Sequence, residues 1–243
     1  MNDHAARLTE VSRRRDHPNL RPRDAATLII VDTSGPKAKV LMGRRHERHA
    51  FMPGKFVFPG GRVDPADIRL SVSEELHPTV GKKLLVDMKR RPSPGRARAL
   101  ALAALRETYE ETGLVIGKPV SGNIATRSAA WRAFLRHGLE PSLAPLRFIT
   151  RAITPPRRTR RYDTRFFCVG ADAIAHKAQS ETQELLDLHW LTFAEAVQLD
   201  LPSITQVVLE ELAEQLATSG LPNPDAPVPY YFMRHGRFER NLI

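Results

Sequence analysis

Three carboxylates and one arginine sit within six consecutive positions: Arg106, Glu107, Glu110 and Glu111. On a helix, at roughly 100° per residue, Glu110 and Glu111 fall on either side of Glu107, so all three share about a third of the circumference. Arg106, four residues before Glu110, can answer one of these charges but not three. A hard divalent cation with oxygen ligands, Mg²⁺ or Mn²⁺, would answer the rest. The alternative is a solvated acidic face with i, i+4 pairing.

The element that must position them begins at Ser93-Pro94, an N-cap followed by a proline at the first helical position. Helix formers run from Ala97 to Glu111, and Gly113 stands where a glycine ends a helix. Leu102, Leu105 and Tyr109 make one apolar stripe, flanked by Ala97, Ala101 and Ala104. The charges run against the helix dipole: Arg96 and Arg98 open the helix while the glutamates crowd its negative end. A site that grips a cation would compensate that arrangement.

Around the helix, Ala25–Val31 and Lys39–Met42 predict an antiparallel hairpin across the turn residues Thr33–Pro36. Phe56–Phe58 predicts a short strand that stops at Pro59-Gly60-Gly61. Further strands are expected near Leu146–Ile153, Phe166–Gly170 and Leu185–Leu191, and helices at Ser128–His137, Phe193–Leu199 and Ser203–Ala217. Strands mixed with helices, without regular βαβ alternation, give a single α/β sandwich with a mixed sheet. The expected boundaries are a basic, solvated tail over 1–24, one domain over 25–220 with an insertion at about 65–95, and a second tail over 221–243.

The 243 residues carry 37 Lys and Arg against 27 Asp and Glu, a net charge of +10 that favours an anionic partner. Nineteen prolines suggest stiffened loops. The single cysteine, Cys168, excludes a disulfide framework and a cysteine zinc site and fits a reducing compartment, so a cytoplasmic location is expected. No apolar run is long enough to span a bilayer, and Met1–Asp24 lacks the apolar core of a secretory signal. Cys168, within a strand-like FFCVG, reads as core, and Trp131 and Trp190 read as packing residues.

Arg106-Glu107-Thr108-Tyr109-Glu110-Glu111-Thr112-Gly113-Leu114 resembles the REUxEExGU half of the Nudix box, and Phe56–Asp64 (FVFPGGRVD) resembles the strand and glycine pair that open it. The resemblance implies a Nudix-type α/β/α sandwich and a hydrolase that cleaves nucleoside diphosphates linked to another group with the help of divalent cations. It implies metal ligation by Glu107 and Glu111, aided by Glu110 and the Gly61 carbonyl, with Arg106 orienting the cluster.

This chain departs from the pattern in three places. Forty-four residues separate Gly61 from Arg106, where the family has about thirteen, so an insertion splits the box. Arg98 stands eight residues before Arg106, where the family's first glutamate is expected, so that acid's role must be absent or supplied elsewhere. Thr108 replaces the aliphatic residue.

Arg44-Arg45-His46, Phe51–Gly61 and Arg147–Phe167 (RFITRAITPPRRTRRYDTRFF) resemble the branch that contains coenzyme A diphosphatases. The resemblance implies a general base from either the helix, where Glu110 is the catalytic candidate beside Arg106, or a later loop, where Glu184 in the segment ELLDLHW is the candidate and Glu181 its rival. Arg44, Arg45, Arg158 and Arg165 are candidate phosphate contacts. The implied substrate is coenzyme A or an acyl-coenzyme A, with ADP-ribose, a dinucleotide or a nucleoside triphosphate as the alternative substrate. A Nudix-like module that binds a nucleotide or RNA without catalysis stands as the alternative. The basic aromatic platforms of single-strand binders are not evident, which disfavours nucleic acid. No membrane partner is expected, and a homodimer stays open.

Overall fold

The structure, a computed structural model, describes residues 4–11, 16–47, 54–180, 182 and 184–243. Glu181, Phe51, Met52 and Pro53 lie outside the described residues.

The chain runs α1 (His4–Glu10), β1 (Arg23–Asp32), β2 (Lys39–Arg45), β3 (Phe56–Val57), β4 (Gly60–Arg62), α2 (Pro65–Arg69), α3 (Pro78–Leu85), α4 (Pro94–Thr112) and β5 (Leu114–Pro119). It continues through α5 (Ala129–Leu135), β6 (Leu139–Pro141), β7 (Arg147–Ile153), β8 (Tyr162–Gly170), β9 (Ile174–Lys177), β10 (Leu185–Thr192), α6 (Phe193–Ala196), α7 (Ser203–Ser219), β11 (Pro229–Arg234) and β12 (Arg237–Leu242). The main sheet has the order β10-β2-β1-β8-β7-β11-β12, with β3 on β2 and β4 on β1. A smaller sheet joins β6, β5 and β9. The sheet is mixed: β1 and β8 are parallel, while β1/β2 and β7/β8 are antiparallel.

The continuous apolar run of β1 follows from burial on both faces. Leu28 and Ile30 pack with Leu102 and Leu105 of α4, whereas Ile29 and Val31 pack with Val207, Val208 and Leu212 of α7. Two helical layers over one sheet make the expected sandwich. The cap residues perform as their chemistry requires: the Ser93 hydroxyl accepts from the Arg96 N–H, and Gly113 closes α4 at φ 73°.

The two terminal segments, expected as a solvated tail over 1–24 and a second tail over 221–243, both contain ordered elements. Residues 4–10 form α1, whose Leu8 is buried against the α7 layer and whose Arg7 pairs with Glu210 at 2.7 Å. A lone leucine among charges carries no periodic signal, so only the docking partner reveals it. Residues 229–242 form the β11/β12 hairpin, with Tyr231 and Phe238 in the same core and β11 running parallel to β7. The stretch expected as an insertion, about 65–95, contains α2 and α3, which add Ala66, Leu70, Val80 and Leu84 to the α4-side core. Trp131 is fully buried, whereas Trp190 is exposed on the edge strand β10. No helix among the described residues is long and apolar enough to cross a membrane.

Candidate active site

Helix α4 crosses the β1/β4 end of the sheet, which brings its last two turns over the glycine pair of β4. Arg106 is the hub. Its Nη1 donates to Glu107 Oε1 at 2.9 Å and to Glu110 Oε2 at 2.8 Å. Its Nε and Nη2 donate to the two oxygens of Asp67 at 2.9 and 3.0 Å, and Nη2 also donates to the Arg62 carbonyl. Burial alone would pull this guanidinium down, but the hydrogen bonds to Asp67 and the charges of Glu107, Asp67 and Glu110 outweigh it and hold it above its ordinary value.

Asp67 is fully buried in α2, where it also accepts from Trp131 Nε1 at 2.9 Å and from the Asp64 N–H at 2.8 Å. It stands six residues after Gly61. The family's spacings place the first acid of the box at that distance from the glycine. Counting back from Arg106 lands on Arg98, which pairs with Glu75 at the surface and plays no part in the site. Counting forward from Gly61 finds Asp67. By that count the insertion falls after the first acid, and Asp67 stands in its place as the carboxylate that holds Arg106.

The carboxylates differ in environment. Glu111 is buried and accepts from the Gly60 N–H at 3.0 Å. Burial, then the charge of Glu107, push its carboxyl up to about 8. Glu107 is raised as well, by burial first; Arg106 opposes the rise, and Glu110 and Glu184 add to it. A Cβ at Gly61 would overlap the Glu107 carboxylate, so only glycine admits this approach. Glu110 is tied to Arg106 at the rim of the cluster.

Glu107 and Glu184 face one cavity of about 560 Å³, walled also by Gly60, Gly61, Arg45, Arg62, Arg160 and Tyr162. Glu184 is half exposed and stands 3.6 Å from Arg45 Nη2. Neighbouring strand residues point opposite ways, which separates several candidates. Arg45 reaches the cavity, while Arg44 turns outward to Asp187 at 2.9 Å. Thr164 and Phe166 of β8 line the cavity, while Arg165 between them is buried on the other face with Asp24 and Asp163. Arg158 lines an adjoining apolar groove, and Arg160 takes the cavity position instead. Cys168 is fully buried and its thiol is pushed up to about 12 by burial, which suits a core residue and not a nucleophile.

Among the described residues, no trio of His, Cys, Asp or Glu is gathered in metal-ligating geometry, since Arg106 and the Gly60 N–H engage the carboxylates. The donor set nevertheless fits a hard divalent cation. Glu107 and Glu111 present adjacent carboxylates whose raised pKa values mark groups short of countercharge, and Gly61, with no side chain, lies directly against Glu107.

The profile of the NUDT19 Nudix domain family matches residues 22–203. An acyl-coenzyme A diphosphatase NUDT19 of Xenopus laevis is 25% identical over 209 residues, covering 66% of this chain and 54% of that protein. Its namesake in Gallus gallus is 26% identical over 211 residues, covering 66% and 55%. The chain thus spans about half the length of these relatives. The crystal structure of a Nudix hydrolase from Alicyclobacillus acidocaldarius superposes with a TM-score of 0.63 at 26% identity, covering 84% of this chain and 99% of that one. The matched span takes in the glycine pair, Asp67, the α4 carboxylates and Glu184, and by it this chain belongs to the Nudix hydrolases, in the family of the NUDT19 Nudix domain.

Proposed function

We propose that this chain hydrolyses the diphosphate bond of coenzyme A or an acyl-coenzyme A. The observation that carries the reading is the shared cavity, in which Glu107 and Gly61 at one wall meet Glu184, Arg45 and Arg160 at the others. The relatives named as acyl-coenzyme A diphosphatases support the choice of substrate. In the reaction a water oxygen bonds to one phosphorus, the bridging P–O bond breaks, and each product leaves with a terminal phosphate.

Glu107 and Glu111, with the Gly61 carbonyl and Glu110 at the rim, would hold magnesium or manganese. Bound there, the cation would lower the pKa of water and neutralise charge on the phosphate oxygens. Arg106, itself fixed by Asp67, keeps Glu107 and Glu110 in place. Glu184, exposed to the cavity, accepts the proton of the attacking water. Arg45 and Arg160 offer planar donors to the phosphate oxygens.

A substrate panel resolved by mass tests this reading. Coenzyme A, an acyl-coenzyme A, ADP-ribose, a dinucleotide and a nucleoside triphosphate are each incubated with Mg²⁺ or Mn²⁺. The expected products are 3′,5′-ADP and a phosphopantetheine from the coenzyme A substrates. Absence of turnover on the whole panel would refute the hydrolase reading and favour a binding module.

A further inference from the structure

Beside the carboxylate cavity lies a second, strongly basic groove of about 530 Å³. Arg62, Arg160 and Tyr162 line both spaces, so the two adjoin across a shared wall. Arg21, Arg23 and Arg90 complete the charged wall. Four arginines in and beside this groove are already engaged. Arg96 pairs with Asp24, Arg151 and Arg165 with Asp163, and Arg161 donates to Asn19, to the Leu20 carbonyl and to the Thr154 carbonyl. The side chains of Arg21, Arg23, Arg62, Arg90 and Arg160 make no hydrogen bond or ion pair with any described residue. Five guanidinium groups line one groove whose own wall carries no carboxylate, the nearest acids (Asp24, Asp64, Asp87 and Asp163) lining an adjoining hollow, and a ligand with more than one negative charge complements that wall.

The wall that carries Arg90 is built, not loose. Arg90 adopts a left-handed backbone at φ 67°, as does Asp87 at φ 50°, in the loop that leaves the inserted segment. The carbonyls on either side are fixed by buried or half-buried arginines. Arg151 donates to Val86 and Asp87, and Arg96 donates to Lys89 and Arg91. The insertion thus holds Arg90 opposite Arg160 on the β7/β8 loop.

We propose that this groove is the subsite for a phosphate monoester that the substrate carries on its nucleoside side, beyond the diphosphate. The assignment rests on the diphosphatase reading and gives the insertion a purpose within it: selecting a nucleotide with a second, remote phosphate. Arg62 and Arg160 bridge the diphosphate to that phosphate, and Arg90 and its neighbours on the N-terminal strand close around it.

Coenzyme A and dephospho-coenzyme A differ only in this phosphate, so their kcat/KM ratio reads the subsite directly. The wild-type protein is expected to prefer coenzyme A by roughly 10- to 100-fold, the scale of one or two charge-assisted hydrogen bonds. In the double variant Arg90→Gln, Arg160→Gln the ratio is expected to fall toward one. A wild-type ratio near one, or a ratio unchanged in the variant, would overturn the subsite and leave the diphosphatase reading standing. If neither compound is hydrolysed, that reading falls, and calorimetry decides the subsite by itself. It predicts that 3′,5′-ADP binds at least tenfold tighter than 5′-AMP, that the difference vanishes in the variant, and that free inorganic phosphate competes only weakly. Equal affinities of the two nucleotides would overturn it.

Discussion

Glu111→Gln isolates the electrostatic cost of the carboxylate cluster. Glutamine keeps an oxygen for the Gly60 N–H, at 3.0 Å in the wild type, and removes the titrating proton. In the folded, metal-free chain the Glu111 carboxyl holds its proton up to about 8, whereas an unfolded glutamate releases it near 4.5. Between those values the folded state binds the proton that the unfolded state has lost, so stability falls as pH rises. Over that interval, at ~1.4 kcal/mol per pH unit, the loss attributable to this one group reaches about 5 kcal/mol. The variant lacks that slope. Urea denaturation in EDTA at pH 5, 6, 7 and 8 should show the two proteins converging at the acid end, with the variant increasingly more stable toward pH 8. A smaller decline persists in both, because burial also raises Glu107. A divalent cation binds the deprotonated carboxylate, so Mg²⁺ should protect the wild type more at pH 8 than at pH 5. Parallel pH slopes in the two proteins would refute the reasoning.

Asp67→Ala leaves the buried Arg106 guanidinium without its bidentate partner and should destabilise the fold by about 3–5 kcal/mol, read by chemical denaturation. Asp67→Glu should recover part of that loss. Gly61→Ala drives a methyl into the Glu107 carboxylate, so kcat should fall by roughly 100-fold while circular dichroism stays unchanged. Leu8→Ala should lower stability by about 2–3 kcal/mol if α1 is docked as described, and by less than ~0.5 kcal/mol if residues 4–10 are solvated.

Helix α4 was legible because its signals are local: a serine cap, a proline at the first position, a run of helix formers and a terminating glycine all lie within one stretch. The β1/β2 hairpin was legible for the same reason. The terminal elements were not, because α1 and β11/β12 owe their order to distant partners such as α7 and β7, which local pattern does not reveal. The three glutamates and Arg106 come together as their spacing implies. Asp67 was hidden by a 44-residue gap read from the wrong end. The outward turn of Arg44 and the inward burial of Arg165 depend on strand facing, which a run of basic residues leaves open.

The most direct measurement is a crystal of the protein soaked in manganese, with anomalous scattering recorded at the manganese edge. A peak about 2.2 Å from carboxylate oxygens of Glu107 and Glu111 and from the Gly61 carbonyl is the predicted result. A map with no peak between α4 and the glycine pair, under conditions where the protein turns over its substrate, would contradict the account.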